Sequence, residues 1–169
     1  MSKNLLLLIL LLFIAQVSFA QKKWRRYKSK PGNFKVKLPA KPTLKERKNQ
    51  YILETESEGV LYQILFNKTR QNNDLKVAQK LVSKELDKVR RDLRLKEELR
   101  IESNMGTLML GLPVQGIRFR NQRNQLYQYR VLVTKYHTYH FIITKYNKIL
   151  DKARSAKFFG SFKLWKKEK

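Results

Sequence analysis

From Phe34 onward, apolar side chains recur at every second position in one segment after another, and the long central segment is the first to break that rhythm. Phe34, Val36 and Leu38 alternate with Lys35 and Lys37 after the turn Pro31-Gly32-Asn33. Tyr51-Ile52-Leu53 begins a segment that closes at Glu58-Gly59, and Val60 to Phe66 is apolar on both alternating sets, so it needs cover on both faces. Ile117 and Phe119 alternate with Arg118 and Arg120, a polar turn over Asn121 to Asn124 reverses the chain, and Tyr127, Tyr129, Val131 and Val133 return. Tyr139, Phe141 and Ile143 add a further strand. A period of two is the mark of a half-buried strand. The exception is Leu75, Ala78, Val82, Leu86, Val89 and Leu93, stepping by three or four residues behind the caps Asn72, Asn73 or Asp74. That is one helical stripe, and the opposite face of Lys76, Lys80, Lys84, Asp87, Lys88 and Arg91 reads as a solvated surface. Leu99 and Ile101 predict a short strand, followed by Thr107 to Leu110 and the loop Gly111-Leu112-Pro113. Asn147 can cap a last helix bearing Ile149, Leu150, Ala153 and Ala156. Strands, a long helix, strands and a terminal helix predict an α+β domain, a mainly antiparallel sheet covered by helices and not a βαβ nucleotide-binding fold.

The N-terminus has a different character. Lys3 precedes an unbroken apolar run from Leu5 to Ala15, and Ser18-Phe19-Ala20 offers small residues for cleavage. The run is eleven residues, short of the roughly 18 to 20 that span a bilayer. Residues 1–20 therefore read as a signal peptide, with residues 21–169 as a single domain, secreted or periplasmic, without a transmembrane segment. The chain has no cysteine, which excludes disulfides, thiol catalysis, thiolate zinc sites and a lipidated cysteine, so packing must supply stability.

The formal net charge is +25 and unevenly spread. Residues 21–50 carry twelve cationic side chains against Glu46 alone, and residues 103–150 carry seven with no acid. Such a field concentrates anions at the surface. Outside the cytosol the candidate partners are anionic lipid, acidic glycan or an acidic protein, rather than cytosolic nucleic acid, while excess charge can equally serve solubility alone.

Few residues suggest reaction chemistry. His137-Thr138-Tyr139-His140 has a spacing that pairs imidazoles on a helix, but on a strand residues three apart point to opposite faces, so no metal site is expected. Glu54, Glu56 and Glu58 have strand spacing without a sign of burial, and no phosphate loop, nucleophile elbow or zinc-protease helix occurs. Asn67-Lys68-Thr69 matches a glycosylation sequon of no expected consequence. No cofactor and no catalytic residue are expected. The one constellation that points to binding is the basic hairpin. Arg118 and Arg120 share a strand face, Arg130 lies on the adjacent strand, and Arg123 sits in the turn between them. Guanidinium groups gathered in this way hold phosphate, sulfate or carboxylate in two-pronged contacts. The competing expectation is that the stems pack under a helix and the heads face water.

The leader, the aromatic-rich start, Gly32-Asn33-Phe34-Lys35-Val36-Lys37-Leu38-Pro39 and the ending Phe158 to Leu164 together resemble small secreted bacterial proteins with a PsbP-like fold. Gly111-Leu112-Pro113-Val114-Gln115-Gly116 sits where those proteins carry a Gly-x-Pro-Gly turn, with Val114 in place of the second glycine. The resemblance implies an α/β/α sandwich used as a binding or assembly module, with no shared catalytic set. The expectation is a non-enzymatic binding module for an anionic envelope component or acidic partner. The alternatives are an accessory subunit of an envelope complex, with oligomeric state open, and a hydrolase.

Overall fold

A computed structural model describes residues 24–68, 75–96, 100–146 and 151–166. The expected leader, the caps Asn72 to Asp74 and Asn147, and Leu99, Ile149 and Leu150 lie outside these residues. In chain order the elements are β1 (Arg25–Ser29), β2 (Phe34–Leu38), β3 (Thr43–Arg47), β4 (Gln50–Ser57), β5 (Val60–Lys68) and α1 (Leu75–Lys96). There follow β6 (Arg100–Met109), β7 (Leu112–Arg120), β8 (Leu126–Val133), β9 (His137–Lys145), α2 (Lys152–Gly160) and β10 (Lys163–Leu164).

Seven strands form one sheet in the order β3-β4-β5-β9-β8-β7-β6, with every neighbouring pair antiparallel. β9 lies at the centre of the sheet, paired with β5 along its whole length and with β8 from Thr138 to Lys145. A second sheet of three strands, β1-β2-β10, joins the two ends of the described chain. The mainly antiparallel α+β architecture is as expected. Helices do not act alone on the sheet, however. One face packs β2, through Phe34, Val36 and Leu38, together with Phe158, Phe159 and Phe162, against Tyr62, Ile64, Phe66, Tyr139, Phe141 and Ile143. The other face meets Val82 and Leu86 of α1 over Ile117, Phe119, Tyr129, Val131 and Val133. No described helix is long and apolar enough to cross a membrane.

Several local expectations are corrected. The basic lead contains β1, and the polar stretch before Tyr51 contains β3, all five of whose residues are exposed. Both are edge strands, where one neighbour's backbone suffices and no apolar alternation is needed. The segment from Ile101 to Leu110 belongs mostly to one continuous strand, and Leu112-Pro113 already starts β7, so the loop shrinks to Leu110-Gly111. α2 starts at Lys152, where Asp151 Oδ1 accepts from Ala153 N at 2.8 Å. Its buried side is Ser155, Phe158 and Phe159, whereas Ala153 and Ala156 are exposed. The aromatic ending thus supplies the helix's own apolar face, a signal stronger than two alanines.

Candidate functional site

The β7–β8 register sets the site. Gly116 lies opposite Arg130, Arg118 opposite Gln128 and Arg120 opposite Leu126. Side chains alternate across a sheet, so Arg118, Arg120, Gln128 and Arg130 all rise on the face that also carries Val114 and Leu132. Of the four arginines, the register sets Arg118 and Arg130 near one another. Arg118 stands diagonal to Arg130, and its proximity, after burial, is a cause of the Arg130 guanidinium being pushed below its usual pKa. Arg120 is committed elsewhere. Its Nε donates to Glu102 Oε1 at 2.6 Å and its Nη1 to Asn124 O at 3.2 Å, so its charge is matched and it braces the turn. Arg123 is exposed in that turn, beyond Arg120 from the pair, and the fold does not bring it into the cluster.

Three buried polar atoms at this spot have no hydrogen-bond partner among the described residues: Arg118 Nε, Arg130 Nε and Gln128 Oε1. Gln128 is only 2% exposed, and its Nε2 reaches Met105 Sδ at 4.0 Å, a weak acceptor. The Arg130 guanidinium carbon lies 4.0 Å from the centre of the Phe159 ring, which holds the head in place from α2. Arg90, Arg120 and Arg154 each pair with a carboxylate, and Arg118 and Arg130 pair with none among the described residues. Guanidinium donors without a carboxylate partner can accept an anion, and buried polar groups in folded proteins are usually paired. Arg118 and Arg130 are half-buried, each with its Nε buried, which matches packed stems. Periodicity alone gave no hint of Gln128 or Phe159, since one is polar on a buried strand and the other arrives from a separate helix.

The opposite face of the sheet holds a groove of about 480 Å³ beside α1, whose walls include Asn67, Glu85, Phe119, Tyr127, Tyr129 and His140. His137 and His140 point to opposite faces, as strand geometry requires: His137 Nε2 lies 3.2 Å from Pro31 O, while His140 Nδ1 is hydrogen-bonded to the Tyr129 hydroxyl. Burial pushes the His140 pKa below its usual value, with Glu85 opposing and Lys88 assisting, and the same burial pushes the Tyr129 phenol up. The unfolded chain takes up a proton on this histidine near pH 6.5 and the folded chain resists it, so stability is complete above that pH and is lost as pH falls below it. The slope of unfolding free energy between pH 7 and 5 is expected to be shallower in His140→Gln than in the parent chain. Identical slopes in urea titrations would show that His140 is not held neutral by the fold.

The carboxylates offer less. Hydrogen bonds from Lys45 and Gln63 hold the Glu54 carboxyl below its usual range, the reverse of what a general acid needs. Glu58 and Asp151 border a second hollow of about 420 Å³ and are both held by Arg154.

No protein-family model matches this sequence. No curated protein matches it either. The fold is similar to the solution structure of cyanobacterial PsbP from Synechocystis, with a TM-score of 0.59 at 11% identity over 85% of this chain and 93% of that one. Lower similarity is found to a Bacteroides thetaiotaomicron protein (TM-score 0.47, 11% identity, 85% of this chain and 49% of that one). A Pseudomonas aeruginosa protein of unknown function gives a TM-score of 0.41 at 10% identity, covering 73% and 83% of the two chains. The fold is PsbP-like, as the sequence resemblance implied.

Proposed function

We propose that this PsbP-like domain is a non-enzymatic binding module that works outside the cytosol, freed of residues 1–20, and takes an anionic group on Arg118 and Arg130. The observation that carries the reading is the pair of buried, unpartnered Nε groups beside the unpartnered Gln128 Oε1. A phosphate or sulfate ester with a neighbouring hydroxyl suits all three, since the anion accepts from both arginines and the hydroxyl donates to Gln128. Phe159 fixes one guanidinium before the ligand arrives, which lowers the ordering cost of binding. In this reading α2 holds the arginine pair from one side, and the general basicity steers polyanions toward it.

The test is binding of dextran sulfate to the protein recovered from an export host. Arg118→Gln/Arg130→Gln is expected to weaken binding about tenfold or more, equivalent to about 1.4 kcal/mol, and to flatten its salt dependence. Arg120→Gln should change affinity little, because its charge is spent on Glu102. Lys80→Gln/Lys84→Gln removes two exposed charges from α1. Equal losses in the helix and hairpin double variants would show that only net charge matters and would overturn the site.

A further inference from the structure

The β6–β7 hairpin ends in Leu110-Gly111, with φ of +57° and +76°. Among the described non-glycine residues with positive φ, which are Asn33, Lys48, Glu58, Leu110 and Asn124, Leu110 is the only apolar one. A two-residue turn of this kind favours Asn-Gly, so leucine in the left-handed position is a local cost that the fold does not require. The side chain is not part of the core: Leu110 is 46% exposed and Leu108 beside it 71%. A leucine that is both strained and solvent-facing at a tip points to contact with something outside the molecule.

The surroundings of the tip identify that contact. The row of the sheet that joins Thr107, Val114, Leu132, Tyr139, Phe66 and Tyr51 shows which loops share this end. They include the β8–β9 turn, with Lys135 and the 41%-exposed Tyr136, and Lys68 at the end of β5. The β1–β2 turn is fastened to the same end, since Tyr139 Oη donates to Gly32 O at 2.7 Å. Trp165 N in turn donates to Asn33 O at 2.8 Å and brings Lys166 alongside. Lys28 lies 3.2 Å over the Trp165 ring, and desolvation with Lys35, Lys30 and Lys166 nearby lowers its pKa. Among the described residues of the sheet, the acid nearest this end is Glu46, on the far edge strand β3.

We propose that this end of the molecule docks on a bilayer containing acidic phospholipid, with Leu108 and Leu110 entering the acyl boundary and Lys28, Lys30, Lys68, Lys135 and Lys166 meeting the headgroups. An apolar tip at an end of the molecule rich in lysine matches the layering of a membrane surface, where acyl chains lie beneath a sheet of negative charge. Tyr136 suits the boundary between the two. A second copy of the chain is a poor occupant, because each carries the same large positive charge. The site is separate from the arginine pair and does not rest on it.

The chain has no cysteine, so Leu110→Cys carries a single environment-sensitive dye at the tip, and Arg100→Cys carries one at the exposed opposite end of β6. With vesicles of phosphatidylglycerol and phosphatidylcholine the dye at position 110 is expected to shift to the blue, and the dye at position 100 is not. Vesicles of phosphatidylcholine alone should shift neither. Leu108→Ser/Leu110→Asn should reduce vesicle partitioning about tenfold. Its melting temperature should not fall, because asparagine tolerates the left-handed conformation and neither leucine is buried. Arg118→Gln/Arg130→Gln should dock as the parent does, which separates this surface from the anion site. A shift at both positions, a shift at neither, or a shift at position 110 that depends on protein concentration without vesicles would overturn the proposal, the last by pointing to a second copy.

Discussion

Truncation of Phe141 to alanine is expected to remove about 3–5 kcal/mol of stability, the range for an aromatic side chain deleted from a packed core. Phe141 is fully buried on β9, the strand that links the two halves of the large sheet. Its ring meets Phe162 edge-on at 4.8 Å between centroids, and Phe158, Phe159 and Tyr139 at 6.2–6.3 Å. These partners come from β9 itself, α2 and the segment before β10, so a cavity here loosens three elements that no disulfide ties together. Urea denaturation reads the loss as a lower midpoint at unchanged slope. Phe141 also faces Arg130 across the β8–β9 pair, so the variant should bind anions more weakly than its folded fraction accounts for. A destabilisation below about 1 kcal/mol would mean that the site collapses freely and that the aromatic cluster is not the keystone of this face.

Gly116→Val is expected to destabilise by about 1–3 kcal/mol or more, as overpacking does, and to displace Arg130. A Cβ at position 116 would lie 2.5 Å from the backbone oxygen of Tyr129 and 2.9 Å from Arg130 Cγ. The oxygen belongs to the β7–β8 ladder and cannot retreat without breaking pairing in the middle of the sheet. The arginine stem can move, but only by giving up its place over Phe159. Gly116→Val should therefore lose anion affinity beyond its loss of stability, whereas a substitution at Gly106, where a Cβ meets nothing within 4 Å, should lose neither. Thermal melts paired with dextran sulfate titrations read the two effects together. Unchanged affinity in folded Gly116→Val would show that Arg130 does not need this position.

Much of the fold was legible because a half-buried strand writes its own period. Phe34 to Leu38, Val60 to Phe66, and the two arms around Asn121 to Asn124 all appear where alternation places them. The same holds for α1, whose Val82 and Leu86 are buried while Lys80, Lys84 and Lys88 are exposed. β1 and β3 were not legible, since β3 is wholly exposed and β1 turns only Tyr27 and Ser29 inward, too little to write a period. The Tyr129–His140 couple was missed for a related reason: a histidine's partner lies on a neighbouring strand and leaves no mark in the spacing around it.

Sequence alone determined the faces. A repeat of two residues is a local property, so it placed Arg118 and Arg120 on one side of their strand and set His137 against His140 without knowledge of any partner strand. Which arginines keep an available head was decided only by the tertiary structure. Glu102 meets Arg120 because β6 pairs with β7 through a register shift between Ile101 and Ser103. Phe159 meets Arg130 because β9 inserts between β5 and β8 and α2 packs its aromatic face onto that strand. Both outcomes depend on pairing between distant segments, which is fixed by burying the whole apolar surface at once and not by the pattern within any one of them.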